Sequence, residues 1–488
     1  FYMFLIVIPK SAGQFNQINL AEKLYDSDHE VSLWMSFTKS FMVEEVSKRL
    51  YVNSWKLFFD EDYNPVEITD DLIHKTKLIK KIEAELPIRQ LKVFNTLLKS
   101  YKNKLDSIGA TVKTINPKAI LVSSDGIAGD LFLTSVAKRL GIPIICCPYG
   151  YSAEIDLEND LKIKIENGCS NDNTNPGGDI VKKFFPKWLK KGRYKNQLIY
   201  KPEVILAMEL AGVSLNNPWR VYGSEADVMC VPSYQYKEHL EKEGFSAKKI
   251  SVIGSINGDN VWGQIQKSAE VKSAFREPKK IQNDITRVLI SMPASYHALR
   301  GQFTAFPQSY AKLVDGITRL LRFNTKVVLT VSVHPAVTNE DFSCFEQLGI
   351  SAIKGNVINL IPENDVYISD FSSTIRWAIA CGKPTINYDF YNFDLDAYDE
   401  ADGVLTVRKH DEYEGLLINM IEDENFYCQL ACKQIEKADT WGIIDGKFLG
   451  NLLRTINRVV LIRPPIRLLN MLSHKFMQIC KKNPWLNF

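Results

Sequence analysis

Residues 365–388 read DVYISDFSSTIRWAIACGKPTINY, and this stretch decides the fold class. The apolar run Asp365–Ser369 is typical of a buried strand, and the residues after it, up to Cys381, are typical of a helix. Gly382-Lys-Pro384 is a helix stop signal, and a second apolar run continues to Tyr388. Strand, helix and strand in this order predict one unit of a parallel α/β sheet.

The same alternation of short apolar runs and helical stretches extends along the rest of the chain. The first series of predicted elements consists of strands Tyr2–Ile8, Glu30–Trp34, Ala119–Ser123 and Pro143–Cys147 and a helix Leu131–Leu140. The second series consists of strands Val228–Pro232, Ile250–Gly254, Arg287–Ser291, Lys326–Val333, Asp365–Ser369 and Lys383–Tyr388. Two such series predict an α/β protein with two Rossmann-like, doubly wound domains that face a cleft.

We place the boundary between the two domains after residue 225. Residues 1–225 are predicted as the N-terminal Rossmann-like domain, residues 226–450 as the C-terminal one, and residues 451–488 as a basic amphipathic helical tail. Two insertions interrupt the first domain. Residues 38–104 are rich in Lys, Glu and Leu and predict helices, and turn-forming residues within 154–201 predict a surface loop or lid with helical pieces beside it.

The composition is that of an ordinary globular protein long enough for two packed domains. The chain has 488 residues, of which 45% are hydrophobic and 24% charged. Its 60 Lys and Arg residues nearly balance 57 Asp and Glu, which disfavours nucleic acid as a partner. Nine cysteines lack the paired spacing of zinc sites, so we expect reduced thiols in a cytoplasmic setting and no metal site. We also expect no cofactor. No apolar run reaches the roughly 18 residues that span a bilayer.

The C-terminal stretch has the strongest charge asymmetry in the chain. Residues 450–488 contain seven Lys or Arg and no Asp or Glu, and apolar residues lie between these charges. Basic amphipathic segments of this kind bind anionic membrane surfaces, which makes residues 454–482 a candidate contact with the inner leaflet. The alternative is a closing helix that packs on the first domain and shows a solvated basic face.

The first candidate site residue is Asp125, in the motif Ser123-Ser-Asp-Gly126 directly after an apolar strand. Ligands in doubly wound sheets bind outside the carboxyl ends of strands, so we expect the carboxylate to point into the cleft and to serve as a general base. The alternative is that Asp125 caps the helix that follows.

Two further motifs also follow predicted strands. His334-Pro335 ends the strand Lys326–Val333, where a histidine can donate to a phosphate or stabilise a leaving group. Ser372, Ser373 and Thr374 lie at the start of the helix after Asp365–Ser369, and their hydroxyls together with free backbone N–H groups predict an anion site.

Glycine-rich turns give a weaker signal. Gly254 and Ser255 follow a strand near the domain boundary and are predicted to line the cleft, although a simple tight turn explains them equally well. The chain lacks both the G-x-G-x-x-G fingerprint of dinucleotide-binding enzymes and the G-x-x-x-x-G-K-[ST] loop of NTPases. Redox Rossmann enzymes and P-loop NTPases are therefore disfavoured.

Taken in chain order, these motifs resemble those of a GT-B glycosyltransferase. The resemblance is to bacterial sialyltransferases and related capsule enzymes, which carry an acidic-acidic-Gly motif, a His-Pro motif and a Ser-Ser or Ser-Thr motif. Here the first motif is Ser124-Asp125-Gly126, with Ser124 where that family has an acidic residue. Residues 365–388 are also similar to CDP-glycerol glycerophosphotransferases and to UDP-N-acetylglucosamine 2-epimerases.

The resemblance implies an inverting, metal-independent glycosyltransferase that takes a nucleotide-activated sugar, with a CMP-linked acidic sugar as the expected donor. Asp125 would accept the proton of an acceptor hydroxyl, and His334 would sit against the donor phosphate. The first domain would bind the acceptor and the second the donor. The implied donor-binding residues are Gly126, Gly254, Ser255, His334, Pro335, Ser372, Ser373 and Thr374.

The implied role is the biosynthesis of a surface polysaccharide, with a glycan or lipid-linked glycan as acceptor, at the inner face of the plasma membrane. Three other functions remain open at this point. The chain could transfer a polyol phosphate from a CDP-linked donor, or it could epimerise UDP-N-acetylglucosamine without any acceptor. It could also be a non-catalytic assembly protein that binds a nucleotide.

Overall fold

The computed structural model describes most of the chain, in two compact units. The first unit comprises Phe1–Cys230, Glu241–Ser251 and Leu449–Phe488, and the second comprises Val231–Leu240 and Val252–Phe448. The described residues are 2–9, 14–36, 49, 55–59, 77–148, 150, 161–162, 164–166, 174–192, 194–222, 225–293, 309–334, 337–355, 357–391 and 398–462.

The first unit is built on a parallel sheet that has seven strands in the described part of the chain. The strands are β1 (Met3–Ile8), β2 (Glu30–Met35), β3 (Lys56–Phe59), β4 (Ala119–Val122), β5 (Ile144–Cys146), β6 (Val228–Val231) and β7 (Ile250–Val252). Their order is β3-β2-β1-β4-β5-β6-β7, and β1 pairs in parallel with both β2 and β4. The prediction that β6 and β7 belong to the second series of strands is wrong, because β6 pairs with β5 and extends the first sheet. All four residues of β4 are buried, as expected for a parallel sheet that helices cover on both faces.

Helices connect these strands. Those described in the first unit are Gln14–Tyr25, Lys77–Glu85, Ile88–Ile115, Leu131–Leu140, Pro176–Phe184, Pro202–Ala211 and nearly all of Phe448–Ile462, with short 3₁₀ turns at Pro186–Trp188 and Ala247–Lys249. Asp130 begins the helix Leu131–Leu140, because its carboxylate accepts from the Leu133 N–H, and Gly141 ends it in the left-handed conformation. The prediction of this helix from the sequence is confirmed residue for residue.

The prediction of a purely helical insertion at residues 38–104 is wrong. Lys56–Phe59 forms β3 and pairs in parallel with β2, with Met35 opposite Phe59. β3 has four residues, and its Leu and two Phe are typical of a short edge strand. The charged residues on either side make this short apolar run hard to recognise in the sequence. Lys77–Glu85 and the start of Ile88–Ile115 are helical, as predicted. Residues 38–48, 50–54 and 60–76 lie outside the described residues.

The described half of the second predicted insertion, residues 154–201, is anchored in the first unit. Trp188 is fully buried, and its indole Nε1 donates to Glu209 Oε1 at 2.6 Å. The indole N–H of Trp219 donates to the Trp188 carbonyl at 3.2 Å. These bonds make residues 186–190 part of the domain core, whereas residues 167–173 of the predicted loop lie outside the described residues.

The second unit contains a parallel sheet with six strands in the described part of the chain. The strands are β8 (Thr286–Met292), β9 (Val327–Val333), β10 (Ala352–Lys354), β11 (Val366–Ser369), β12 (Thr385–Tyr388) and β13 (Val404–Val407). Their order is β10-β9-β8-β11-β12-β13. In the opening stretch of the sequence, β11 and β12 pair in parallel and the helix Ile375–Cys381 connects them, as predicted.

The helices of the second unit cover both faces of its sheet. They are Tyr234–Lys242, which runs into the first unit, and Ile256–Ile265, Ala269–Ala274, Tyr310–Arg322, Asn339–Gln347, Val357–Leu360, Ile375–Cys381, His410–Glu422 and Glu424–Trp441, with a 3₁₀ turn at Ile361–Glu363. Two apolar clusters form the core, one with Val288, Ile290 and Val331 and the other with Leu289 and Trp377. Successive residues of β8 belong to different clusters because side chains alternate across a sheet.

The predicted basic tail begins inside a helix. Phe448–Ile462 is helical, and its side chains at Phe448, Leu452 and Ile456 are buried. The described start of the tail therefore packs on the protein, whereas residues 463–488 lie outside the described residues. Among the described helices, none combines the length and the apolar character needed to cross a bilayer.

Candidate functional site

Each sheet has one place where the strand order reverses. In the first sheet β1 lies beside β4, and in the second β8 lies beside β11. Ligands of doubly wound proteins bind outside the carboxyl ends of the strands at this switch point. Asp125 follows β4 closely and residues 370–374 follow β11, so both motifs predicted from the sequence lie at a switch point.

Of the three hydroxyl residues predicted after β11, two are hydrogen-bonded within the protein and one is exposed. The side-chain oxygens of Ser372 and Thr374 are 2.6 Å apart, and Thr374 Oγ1 lies 2.5 Å from the Tyr367 hydroxyl. The Tyr398 hydroxyl donates to the Ser372 carbonyl at 2.8 Å. Ser373, in contrast, is exposed. Ser372 and Thr374 therefore fix the shape of the loop, and Ser373 is the hydroxyl of the three that a ligand reaches from solvent.

A buried amide side chain holds the same loop in an uncommon backbone conformation. Phe371 has φ of 40°, in the left-handed region that residues with a Cβ atom seldom adopt. Its N–H donates to Asn387 Oδ1 at 2.8 Å, and the Asn387 amide donates to Thr406 Oγ1 at 3.2 Å. Sequence analysis missed Asn387, although a polar residue inside the apolar run of β12 is a visible signal.

His334 lies at the same edge of the sheet, directly after β9. The residue as a whole is exposed although its ring is partly buried, and its backbone N–H donates to the carbonyl of Met292 at the end of β8. Partial burial lowers the pKa of the imidazole below its ordinary value, so the ring is neutral at pH 7 and carries one N–H donor. His334 and Ser373 thus follow the two strands that flank β8. Pro335 lies outside the described residues.

Two carboxylates that sequence analysis did not single out follow the neighbouring strands. Asp370 comes directly after β11, and Asp389 comes directly after β12. Within the described part of the chain, neither carboxylate oxygen of Asp370 has a hydrogen-bond partner, and both oxygens are buried. Burial, and then the charge of Asp389, raises the pKa of Asp370 to about 8. The signal in the sequence was an acidic residue directly after a predicted strand.

Gly254 and Ser255 start a helix. Gly254 has φ of 86°, and Ser255 Oγ accepts from the Gly258 N–H at 3.2 Å, which caps the helix Ile256–Ile265. The turn and the cap account for both residue types. The role of this pair in donor binding stays a prediction.

Asp125 is turned into the first unit. It is 1% exposed, and its Oδ2 accepts from the backbone N–H groups of Glu225 at 3.1 Å and Ala226 at 2.7 Å. The expectation of a carboxylate open at a cleft is therefore wrong, because two backbone donors occupy it. The assignment of Asp125 as a catalytic base stays a prediction.

The alternative role predicted for Asp125, a cap for the following helix, is also wrong. Asp130 is that cap, and its Oδ1 accepts from the Leu133 N–H at 2.9 Å. Its Oδ2 accepts from the Trp34 indole at 2.9 Å and from the Ser36 hydroxyl at 3.0 Å. The helix therefore begins five residues later along the chain than a cap at Asp125 requires.

Gly126 lies where two segments of the first unit approach each other. A Cβ atom at this position would be 2.5 Å from the Arg220 carbonyl oxygen and closer still to that of Val221. The Ser124 hydroxyl donates to the same Val221 carbonyl at 3.0 Å. The structure thus explains this glycine by a close approach of the protein's own backbone, and its role in donor binding stays a prediction.

The described residues contain no group of three His, Cys, Asp or Glu side chains arranged to hold a metal ion. The described cysteines are not in disulfides, and burial raises the pKa of the Cys146 and Cys381 thiols. These thiols are protonated at neutral pH.

Two Rossmann-like α/β domains, each on a parallel sheet, define the fold class of this chain as that of the GT-B enzymes. Among solved structures, CalG4, the calicheamicin glycosyltransferase, superposes with a TM-score of 0.50 at 10% sequence identity, over 95% of this chain and 99% of that one.

Two other solved structures match over similar lengths. MnaA of S. aureus, in a co-structure with UDP, has a TM-score of 0.48 and 13% identity over 95% of this chain and 99% of that one. A putative UDP-N-acetylglucosamine 2-epimerase from Listeria monocytogenes has a TM-score of 0.49 and 12% identity over 93% and 95%. No protein-family model and no curated protein matches the chain.

Proposed function

We propose that this protein is a glycosyltransferase that binds the phosphate of a nucleotide-activated sugar at the carboxyl edge of the second sheet. The observation that carries the proposal is the position of His334 and Ser373, which follow the strands on either side of β8 and are both exposed. An O–H donor at the switch point and an N–H donor after β9, on the other side of β8, suit an anionic group at this edge.

The chemistry proposed for this edge is stabilisation of the leaving nucleotide. Negative charge grows on the phosphate as the bond to the sugar breaks, and fixed donors at that place lower the barrier. His334 is neutral at pH 7, so it contributes a hydrogen bond to the phosphate. The Ser373 hydroxyl donates a second one, and the bonds around Ser372 and Thr374 hold the loop in place.

The finer parts of the proposal come from the resemblance of the motifs. They are an inverting, metal-independent reaction, a CMP-linked acidic sugar as donor, a glycan or lipid-linked glycan as acceptor, and a role in surface polysaccharide biosynthesis. The proposal assigns no residue as the catalytic base, because Asp125 is buried and accepts hydrogen bonds from the backbone. A UDP-N-acetylglucosamine 2-epimerase is the second candidate, favoured by residues 365–388, which resemble that family.

The first prediction concerns nucleotide binding at this edge. In a thermal-shift comparison of CMP, CDP, UDP, GDP and dTDP, we expect CMP to stabilise the protein most. A ligand at about 100 times its Kd adds roughly 2.7 kcal/mol to the native state. Replacement of Ser373 by Ala should remove most of this shift, because the hydroxyl is exposed and contributes to binding rather than to packing.

The matched control is Ser273→Ala, another exposed serine of the second unit, whose hydroxyl donates to the Glu270 carbonyl. We expect it to keep the full shift. The His334→Ala variant should lose the shift as Ser373→Ala does. If UDP raised the melting temperature most, the second candidate, an epimerase, would be favoured. If no nucleotide raised the melting temperature, the proposed function would be contradicted.

A second prediction concerns the membrane, which we propose as a partner of the basic tail. Deletion of residues 464–488 should weaken binding to vesicles that contain anionic lipid, and added salt should weaken binding of the full chain. The helix Phe448–Ile462 stays intact in this variant, and its buried Leu452 and Ile456 keep it packed. Vesicle co-sedimentation checks the prediction, and equal binding by both proteins would refute it.

A further inference from the structure

The carboxyl group of Asp370 has no hydrogen-bond partner among the described residues, in a loop where the neighbouring polar groups other than the exposed Ser373 hydroxyl are bonded. The Phe371 N–H, the Ser372 hydroxyl and the Thr374 hydroxyl all have partners. Neither oxygen of Asp370 has a partner among the residues that the structure describes, and both oxygens are buried. Buried polar groups are almost always paired, since an unpaired one costs a large part of its hydration free energy. An orphan carboxyl group at a switch point therefore needs an explanation, and a ligand supplies one.

The groups around Asp370 disfavour a negative charge there. Asp389 follows the adjacent strand β12, and it is 1% exposed. Arg408 forms an ion pair with Asp389, with its Nε 3.8 Å from Asp389 Oδ2. Tyr391 also faces Asp370, and burial first, then the charge of Asp370, raises the pKa of its hydroxyl. In the described residues no cation forms an ion pair with Asp370, so a second charge beside Asp389 is unfavourable and the neutral acid is the stable form.

We propose that Asp370 contacts the phosphate of the bound nucleotide and donates a hydrogen bond to it as a neutral carboxylic acid. This inference rests on the proposed function, which places the phosphate at the same edge as His334 and Ser373. A carboxylate at this position would repel a phosphate, whereas the O–H of the acid is a donor that a phosphate oxygen accepts. The proton stays on Asp370 throughout, and no bond is broken.

The proposed contact requires the side chain of Asp370 to move when the nucleotide binds. Asp370 as a residue keeps some exposed surface, although its two oxygens are enclosed. Contact with a phosphate therefore requires a change in its side-chain torsion angles that brings the acid group to the solvent side of the loop, and this movement is part of the proposal. Because the oxygens leave no hydrogen bond behind, this movement breaks none of the contacts that hold residues 371–374.

The inference predicts a pH dependence with a defined sign. The protonated acid is the form that binds, and the pKa of Asp370 is raised to about 8, so affinity is highest below pH 8 and falls as the acid ionises. Between pH 7 and pH 9 the protonated fraction drops about tenfold, and affinity should drop by the same factor. His334 does not titrate in this window, because its pKa lies below its ordinary value. A phosphate monoester loses its second proton near pH 6, so CMP keeps its charge.

The experiment measures the Kd of CMP, CDP and UDP by calorimetry at pH 7, 8 and 9 and constant ionic strength. We expect the affinity of the wild-type protein to fall about tenfold from pH 7 to pH 9. Asp370→Asn replaces the acid by an amide whose N–H groups donate at every pH, so its affinity should not change with pH. Cytidine, which lacks the phosphate, should show no pH dependence with either protein.

The outcomes separate this inference from the proposed function. Binding at pH 7 that stays constant or strengthens up to pH 9 would overturn the role of Asp370 and leave the proposed function standing. The same fall with pH in Asp370→Asn would also overturn it. No binding of any of the three nucleotides at pH 7 would overturn both. The profile of the wild-type protein decides the question even if the variant fails to fold.

Discussion

Replacement of Asp125 by Ala should lower the free energy of unfolding of the first unit by about 3 to 5 kcal/mol. The carboxylate is buried and accepts from two backbone N–H groups, those of Glu225 and Ala226. Hydrogen bonds to a charged acceptor contribute roughly 1.5 to 3 kcal/mol each, and truncation leaves both buried donors unsatisfied. Urea unfolding followed by circular dichroism measures the change.

The reason for so large an effect is the position of these two donors. They lie just before β6, which pairs with β5, and the Glu225 carboxylate also binds Lys138 and accepts from the Asn216 N–H at 2.6 Å. Asp125 thus ties the segment that follows β4 to the segment that enters β6. Truncation of Asp125 removes hydrogen bonds that join parts of the chain about 100 residues apart in sequence.

Asp125→Asn is the control that separates stability from catalysis. The amide keeps one oxygen acceptor, so we expect it to cost less, about 1 to 2 kcal/mol. If Asp125 is also the base, this variant should bind nucleotide and lose sugar transfer well below its melting temperature. Unchanged turnover would remove Asp125 as base, and unchanged stability of Asp125→Ala would contradict the structural role.

The sequence predicted the strands and helices that depend on local pattern. The apolar run of β4 and the helix Leu131–Leu140 have a clear period, and both were found where expected. β3, β10 and β13 were missed, because each has only three or four residues and none is fully buried. Strands of this length at the edge of a sheet carry too few apolar residues to stand out from their surroundings.

The sequence also predicted that Asp125, His334 and residues 372–374 follow strands, as they do, but it could not give the orientation of their side chains. The rule that ligands bind at the carboxyl ends of strands located Asp125 and His334. Whether a side chain faces solvent depends on partners far away in the chain, such as the Ala226 N–H for Asp125. For Asp370 the informative fact is the absence of a partner, which no local pattern encodes.

Gly126→Ala should lower the free energy of unfolding by about 3 kcal/mol, which is the upper part of the range for overpacking. The added Cβ would lie 2.5 Å from the Arg220 carbonyl oxygen and closer still to that of Val221, and both are backbone atoms that cannot rotate away. The strain acts on the same junction that Asp125 holds, so the two substitutions should not be additive when combined.

The matched control is Gly109→Ala, within the helix Ile88–Ile115, where an added Cβ meets no atom within 4 Å. It should stabilise the protein by about 0.5 to 1 kcal/mol, because Ala is the better helix former. If Gly126→Ala destabilises the protein and Gly109→Ala stabilises it, then glycine is required at residue 126 because the backbone of residues 220–221 approaches it closely, and not because glycine is flexible. If Gly126→Ala left the free energy of unfolding unchanged but abolished nucleotide binding, the donor-binding role that the motif resemblance implied for Gly126 would be supported instead.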